Sequence, residues 1–240
     1  MIDKYARHLP VLGKEGQERL SNSTVYISRV GGVGGTAANY LARTGVGRLL
    51  LAHGGTLDAE YLNRWHLAHE ADIDRPCVEV FKEEISRINS SVEVEVLGEH
   101  ANSIDELKAF AQTADLIIDA APMFEERYNN NLLSQILNIP MISGSMYAQE
   151  GYAMSFVPGQ TACLSCIFPE KPAFWQNRHV FPALGTGPGI IGCLLANEAI
   201  SYLATDELKL KGKMLHYDLT EMDFYKLNLE KDHNCMICSA

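Results

Sequence analysis

The sequence predicts an α/β fold: a mainly parallel sheet with flanking helices, extended by C-terminal antiparallel strands and a tail clipped by metal. Three observations carry this. Short apolar runs of strand length alternate with segments of helical periodicity across about 120 residues, the pattern of βαβ units. A glycine-rich turn follows the first run, and two Cys-x-x-Cys pairs sit in the second half of the chain.

Thr24 to Ser28 is short, β-branched and followed by glycines, and reads as a buried strand. Thr36 to Arg43 reads as a helix closed by Gly45 and Gly47. Arg48 to Ala52 is a second strand, broken by Gly54-Gly55. Val78, Phe81, Ile85 and Ile88 have helical spacing, which predicts a helix over 78–88. Val92 to Val96 alternates strictly, as a half-exposed strand does. A helix over 104–111, a strand over 115–119, a helix over 125–137 and a strand over 140–145 complete the first half.

After Gly151 the character changes. Tyr152 to Val157 reads as a strand leading into a cysteine turn, and Phe168 to Gly189 as a loop rich in Pro, Phe and Gly. Phe174, Trp175, His179 and Phe181 in that loop are candidates either for an acceptor pocket or for an aromatic clamp on a hinge. Ile190 to Leu203 is an apolar helix suited to packing on another helix or a second subunit, with Cys193 expected in the core. Strands over 213–217 and 223–226 precede the tail. The second half reads as an extension of one sheet, so the chain is expected to form a single domain over 1–240, with a nucleotide-binding half over 1–150 and a substrate-side half over 151–240.

Composition excludes several function classes. With 47% hydrophobic and 21% charged residues the chain is of ordinary globular character. A net charge of −10 leaves no cationic excess to displace phosphate counterions, so nucleic acid is not an expected partner. No apolar run reaches the ~20 residues that a membrane span needs. The opening Met1-Ile2-Asp3-Lys4-Tyr5 has no apolar signal core, so a cytoplasmic location is expected, where cysteines stay reduced.

Ser28-Arg29-Val30-Gly31-Gly32-Val33-Gly34-Gly35-Thr36-Ala37 joins the first strand to the first helix. Glycines there let phosphates approach the amides of a helix N-terminus, or serve close helix–sheet packing. With its strand–turn–helix context the segment reads as Rossmann-like, and Gly32-x-Gly34-x-x-Ala37 fits the dinucleotide fingerprint. An NAD site would also need an acidic residue ending the second strand, where this chain has Ala52-His53-Gly54-Gly55. A dehydrogenase is therefore disfavoured.

Cys163-Leu164-Ser165-Cys166 and Cys235-Met236-Ile237-Cys238 are two knuckles that can each give two thiolates to one tetrahedral zinc. Four sulfurs leave no open position for water, so Cys163, Cys166, Cys235 and Cys238 predict a structural site that fastens the tail. Redox chemistry is the alternative, but neither pair sits at a thioredoxin-like strand–helix junction. Cys77 follows Pro76 at a helix start, where a thiol pKa can be lowered, although a plain structural role is the simpler reading.

With turn and knuckles in place, the chain resembles the ThiF/MoeB/HesA family of E1-like adenylyltransferases over nearly its whole length. Lys4-Tyr5-Ala6-Arg7-His8 is similar to the family's opening Arg-Tyr-x-Arg-Gln. Gly16-Gln17-Glu18-Arg19-Leu20, the glycine turn, Tyr40 to Gly47 and Leu62-Asn63-Arg64 continue the match. Gly54-Gly55 and Cys163 to Pro172 give it a HesA-like flavour, and HcgE-like members share the fold. The resemblance implies a homodimer that uses ATP and magnesium to adenylylate a carboxylate. The substrate would be the C-terminal glycine of a ubiquitin-like sulfur carrier or a small acid such as a cofactor precursor. It places Arg7 at the triphosphate of the neighbouring subunit, Arg64 on the phosphates of its own, and Asp119 among the catalytic carboxylates. Arg29, Gly31, Gly32, Gly34, Gly35 and His53 would then face the nucleotide.

The chain departs from that pattern at four places. Arg29 stands where the family's first glycine falls, His53-Gly54-Gly55 replaces the Asp-x-Asp of the ribose site, Cys77 replaces a lysine, and Pro122 replaces a magnesium-handling Asp. Asp119, Glu125 and Lys82 are candidate substitutes, with surface solvation the simpler role for the last two. No cysteine lies between Phe168 and Gly189, so no covalent thioester or persulfide step is expected. A relative that binds a ligand or partner in this cleft without transferring a nucleotide is the alternative.

Overall fold

The computed structural model describes residues 4–98, 103–172 and 182–239. One eight-stranded sheet organises them, in the order β3-β2-β1-β4-β5-β6-β7-β8. The strands are β1 (Thr24–Ser28), β2 (Arg48–Ala52), β3 (Glu93–Leu97), β4 (Leu116–Asp119), β5 (Met141–Tyr147), β6 (Glu150–Phe156), β7 (Lys213–Asp218) and β8 (Asp223–Asn228). The first five pair in parallel and the last three antiparallel.

Parallel strands covered on both faces should be apolar on both, and the middles of β1, β2 and β4 are, while the edge strand β3 alternates with exposed glutamates. Val25, Ile27, Leu49, Leu51, Leu116, Ile118 and Ile142 point into one core. The alternate residues Tyr26, Leu50, Ile117, Met141, Met154 and Phe156 point into the other. On the first face lie α1 (Leu9–Ser21), α2 (Gly32–Thr44), α3 (Cys77–Ile88) and α7 (Thr186–Thr205). On the second lie α4 (Ile104–Ala111), α5 (Phe124–Leu137) and the short α6 (Leu164–Ile167).

Most boundaries fall within two residues of the sequence expectation. Three differ for physical reasons. Helix α2 starts at Gly32 rather than Thr36, because the glycines themselves form its first turn. Helix α7 starts at Thr186 rather than Ile190, since Pro188 falls in the first turn, where an amide hydrogen has no intrahelical partner to lose. Helix α1 has no counterpart among the predicted elements. Its apolar spacing is poor and Gly13, at φ 71°, kinks it, yet Gly16 lies against Ala204 and Gln17 Nε2 donates to the Thr44 carbonyl at 2.8 Å. The strand expected over 152–157 begins at Glu150 and forms a hairpin with β5.

Among the described residues no helix is long and apolar enough to cross a membrane. Phe174, Trp175, His179 and Phe181 lie outside the described residues.

Candidate functional site

The strand order reverses between β1 and β4, and in open parallel sheets ligands bind at the carboxyl ends of the strands beside such a reversal. A cavity of about 780 Å³ opens there. Arg29, Gly31 and Gly32 border it after β1, His53 to Thr56 after β2, and Ala120 to Pro122 after β4. Arg64, Trp65, Arg127 and Ser145 also line it.

The amides on either side of the glycine turn are tied within the protein. The amide of Arg29 donates to the Ala52 carbonyl at 2.8 Å, and the amide of Val30 donates to His53 Nδ1 at 3.0 Å. Gly35 closes the first helical turn onto the Gly31 carbonyl at 2.7 Å. The amides of Gly31 to Gly34 are then the ones a helix N-terminus leaves without an intrahelical partner. They carry the positive end of the α2 dipole toward the cavity, which suits an anion.

The four glycines divide into two kinds. A Cβ on Gly34 would stand 2.1 Å from the Arg29 carbonyl oxygen, and one on Gly35 would stand 3.1 Å from that of Val30. Both are buried, and their smallness serves the close passage of helix over turn. Gly31 and Gly32 instead border the cavity, with Trp65 Nε1 at 3.2 Å and Pro188 Cβ at 3.0 Å from a built Cβ.

Arg29 adopts φ 68°, the left-handed region that glycine enters without cost. Its guanidinium is held by Glu126 in a two-pronged pair, Nε to Oε2 at 2.7 Å and a terminal nitrogen to Oε1 at 2.5 Å. His53 is buried and accepts the Val30 amide, which puts the proton of its ring on Nε2. Its ring stands edge-on to Trp65 and Phe81 at 5.0 and 5.4 Å. Its described contacts thus order the turn.

Arg64 sits at the rim, its NH1 bonded to the Glu60 carbonyl at 2.8 Å and Asn63 Oδ1 at 2.7 Å, its guanidinium over Tyr61. Arg7 is exposed and does not line the cavity of its own chain. Asp119 is 0% exposed and does not border the cavity either. It lies behind Arg127, pairing with its NH1 at 3.2 Å, and accepts from Ser143 Oγ at 2.7 Å and Asn130 Nδ2 at 2.8 Å. Glu125 pairs on the surface with Lys171 at 2.7 Å, which holds its carboxyl below the usual range, and Lys82 is exposed away from the cavity.

Sequence reading missed Arg127 and Trp65. Arg127 is 2% exposed, donates to the Gly144 carbonyl at 3.1 Å, and its buried Nε has no partner among the described residues. Trp65 stacks on Tyr61 at 4.1 Å beside Gly31. An arginine in the first turn of a helix, eight residues after a strand-ending Asp, was the available signal for the first.

Cys163, Cys166, Cys235 and Cys238 converge, with their sulfurs all within 4.8 Å of one another. The Cys163–Cys235, Cys166–Cys238 and Cys163–Cys166 separations are 3.6, 3.4 and 3.9 Å. A zinc tetrahedron with bonds of about 2.3 Å has edges of about 3.8 Å, so the donor set fits zinc. Cys77 is buried and its thiol is pushed up to about 11 by that burial, opposite to the lowering a helix start can produce. Cys193 corrects the expectation of a core residue: it is exposed on α7 near Tyr40, because the apolar character of that helix extends around its whole circumference.

An amide cradle at the switch point of a mainly parallel sheet, with four convergent thiols joining the tail to the middle of the chain, defines a Rossmann-like α/β protein with a site suited to an anion. The chain belongs to the ThiF family, whose model matches residues 5–237. The heterocyst protein HesA of Trichormus variabilis is 38% identical over 239 residues, covering 99% of this chain and 88% of HesA. The sulfur carrier protein adenylyltransferase of Thermus thermophilus is 30% identical over 246 residues, covering 99% of this chain and 90% of that protein. E. coli MccB solved with ATP superposes with a TM-score of 0.87 at 22% identity, over 99% of this chain and 74% of that one, a likeness of fold.

Proposed function

We propose that the chain adenylylates a carboxylate with ATP and releases pyrophosphate, acting as a cytoplasmic homodimer. The observation that carries this reading is the open amide cradle of Gly31 and Gly32, bordered by Arg64 and Arg127 in one cavity. The relative from Thermus thermophilus is named for adenylylating a sulfur carrier, and MccB was solved with ATP. The acid is then the C-terminal glycine of a ubiquitin-like sulfur carrier or a small cofactor precursor.

In the reaction a carboxylate oxygen attacks the α-phosphorus in line, and the bond to pyrophosphate breaks. The protein supplies position and charge. The amides of Gly31 and Gly32 hold phosphate oxygens, Arg64 braces them at the rim, and Arg7 reaches the cavity of the other subunit. Arg127 presents a fixed cation at the inner wall, and Asp119 positions Arg127. Magnesium prefers carboxylate and phosphate oxygens. Among the described residues the carboxylates bordering the cavity are Asp58 and Glu60, and these would hold the ion. Zinc would be held by the four cysteines and would supply only a structural clip.

Calorimetry with ATP and magnesium tests the first step, and failure to bind ends the proposal. Pyrophosphate release on adding the acid tests the second, and Arg64→Ala should lower it by about 10²–10³. A second reading, binding without transfer, is favoured by the commitment of Asp119 to Arg127. It predicts bound ATP and no pyrophosphate with either a sulfur carrier or a small acid.

A further inference from the structure

Helix α5 carries a stripe of buried polar side chains where an apolar stripe would be expected. Arg127, Asn130, Asn131 and Ser134 share one face and are each 2% exposed or less. Such a stripe is costly unless every member is bonded. Arg127 and Asn130 hold Asp119, and Ser134 Oγ donates to the Ile139 carbonyl at 2.7 Å. Asn131 has a different object. Its Nδ2 donates to Cys163 Sγ at 3.6 Å and to Ser165 Oγ at 3.2 Å, while its Oδ1 accepts the Leu164 amide at 3.0 Å. One side-chain amide thus grips three consecutive residues of the first cysteine knuckle.

We propose that Asn131 is a positioning residue of the tetrathiolate site, aiming Cys163 at the metal and sharing the charge of its thiolate through an N–H···S bond. A metal-bound thiolate keeps lone pairs that accept a hydrogen bond. A donor fixed on a long helix orients the sulfur and moderates its electron donation, as outer-shell partners of metal ligands do. Ser165 and Leu164 serve as the two other anchors that keep the amide in register. The other knuckle has no such grip among the described residues: Cys235 and Cys238 lie on the tail, so α5 presents one half of the site and the metal recruits the other.

The experiment uses the full chain loaded with zinc, or with cobalt as a spectroscopic substitute, and does not involve ATP. Asn131→Asp is isosteric and keeps an oxygen for the Leu164 amide but removes both N–H donors. Competition with a chelator should show zinc held about 10–100-fold more weakly, and the thiolate-to-cobalt charge-transfer band should shift. Ser165→Ala leaves the donor to Cys163 in place and should change affinity by no more than about threefold. Wild-type affinity with an unmoved cobalt band in Asn131→Asp overturns the assignment. So does an equal loss in Ser165→Ala, which would make the effect one of knuckle packing. Should Asn131→Asp fail to fold with zinc, Asn131→Ser, smaller and uncharged, is read by the same two measurements.

Discussion

Asp119 and Arg127 form a buried ion pair at 3.2 Å, and this pair converts a strand-ending carboxylate from a ligand of the cavity into a support for its wall. Removing one partner leaves the other as an uncompensated buried charge, which commonly costs about 3–5 kcal/mol. Arg127→Leu and Asp119→Leu should therefore each lower urea-unfolding stability by about that amount. The double substitution should cost less than the sum of the two, because no charge is left alone. Additive losses would mean that the two residues are not energetically coupled.

The two kinds of glycine should separate cleanly. Gly34→Ala forces a Cβ to within 2.1 Å of a backbone oxygen that cannot move away cheaply, so the variant should be destabilised by about 1–3 kcal/mol or more. Gly31→Ala asks only that Trp65 shift by a few tenths of an ångström. It should melt near the wild-type temperature while losing affinity for ATP. Thermal unfolding and calorimetry on the same two proteins decide this.

Arg29 occupies a left-handed backbone conformation that disfavours any residue with a Cβ, and a branched Cβ most of all. Arg29→Val should cost about 1–3 kcal/mol. Arg29→Gly relieves the backbone but gives up a partly buried pair with Glu126, worth about 1 kcal/mol. Its stability should lie within about 1 kcal/mol of wild type. Denaturant midpoints at constant slope are the measurement.

Metal removal should free the tail. Elemental analysis is expected to find one zinc per chain, and Cys235→Ser or prolonged chelation should expose the segment after β8 to protease. For a chain of this size each kcal/mol lost moves Tm by about 2–4 °C. A fall of about 10 °C corresponds to the several kcal/mol that a structural zinc contributes. An unchanged Tm with the metal demonstrably gone would show that the cysteines do not fasten the fold.

The parallel half of the sheet was legible because its strands are covered on both faces. A strand in that position must be apolar throughout, and Val25 to Ile27, Leu49 to Leu51 and Leu116 to Ile118 are. The metal knuckles were legible because a tetrahedral site constrains residue type and local spacing together. Helix α1 was not, since what fixes it is the fit of Gly16 and Gln17 against distant partners rather than a periodic stripe. Nor was the exposure of Cys193, since an apolar helix reads the same whether one side of it is covered or open.

By itself, then, the sequence determined the alternation of strands and helices, the glycine turn and the four thiols, all of which depend on residue type within a few positions. Only the tertiary structure decided that Gly34 packs while Gly31 borders the cavity, that Asp119 stands behind Arg127, and that Asn131 grips a knuckle more than thirty residues away. Those assignments depend on which side chains meet across the sheet. Hydrogen bonds and van der Waals contacts act over a few ångströms in space, and no spacing along the chain records where two such groups will come together.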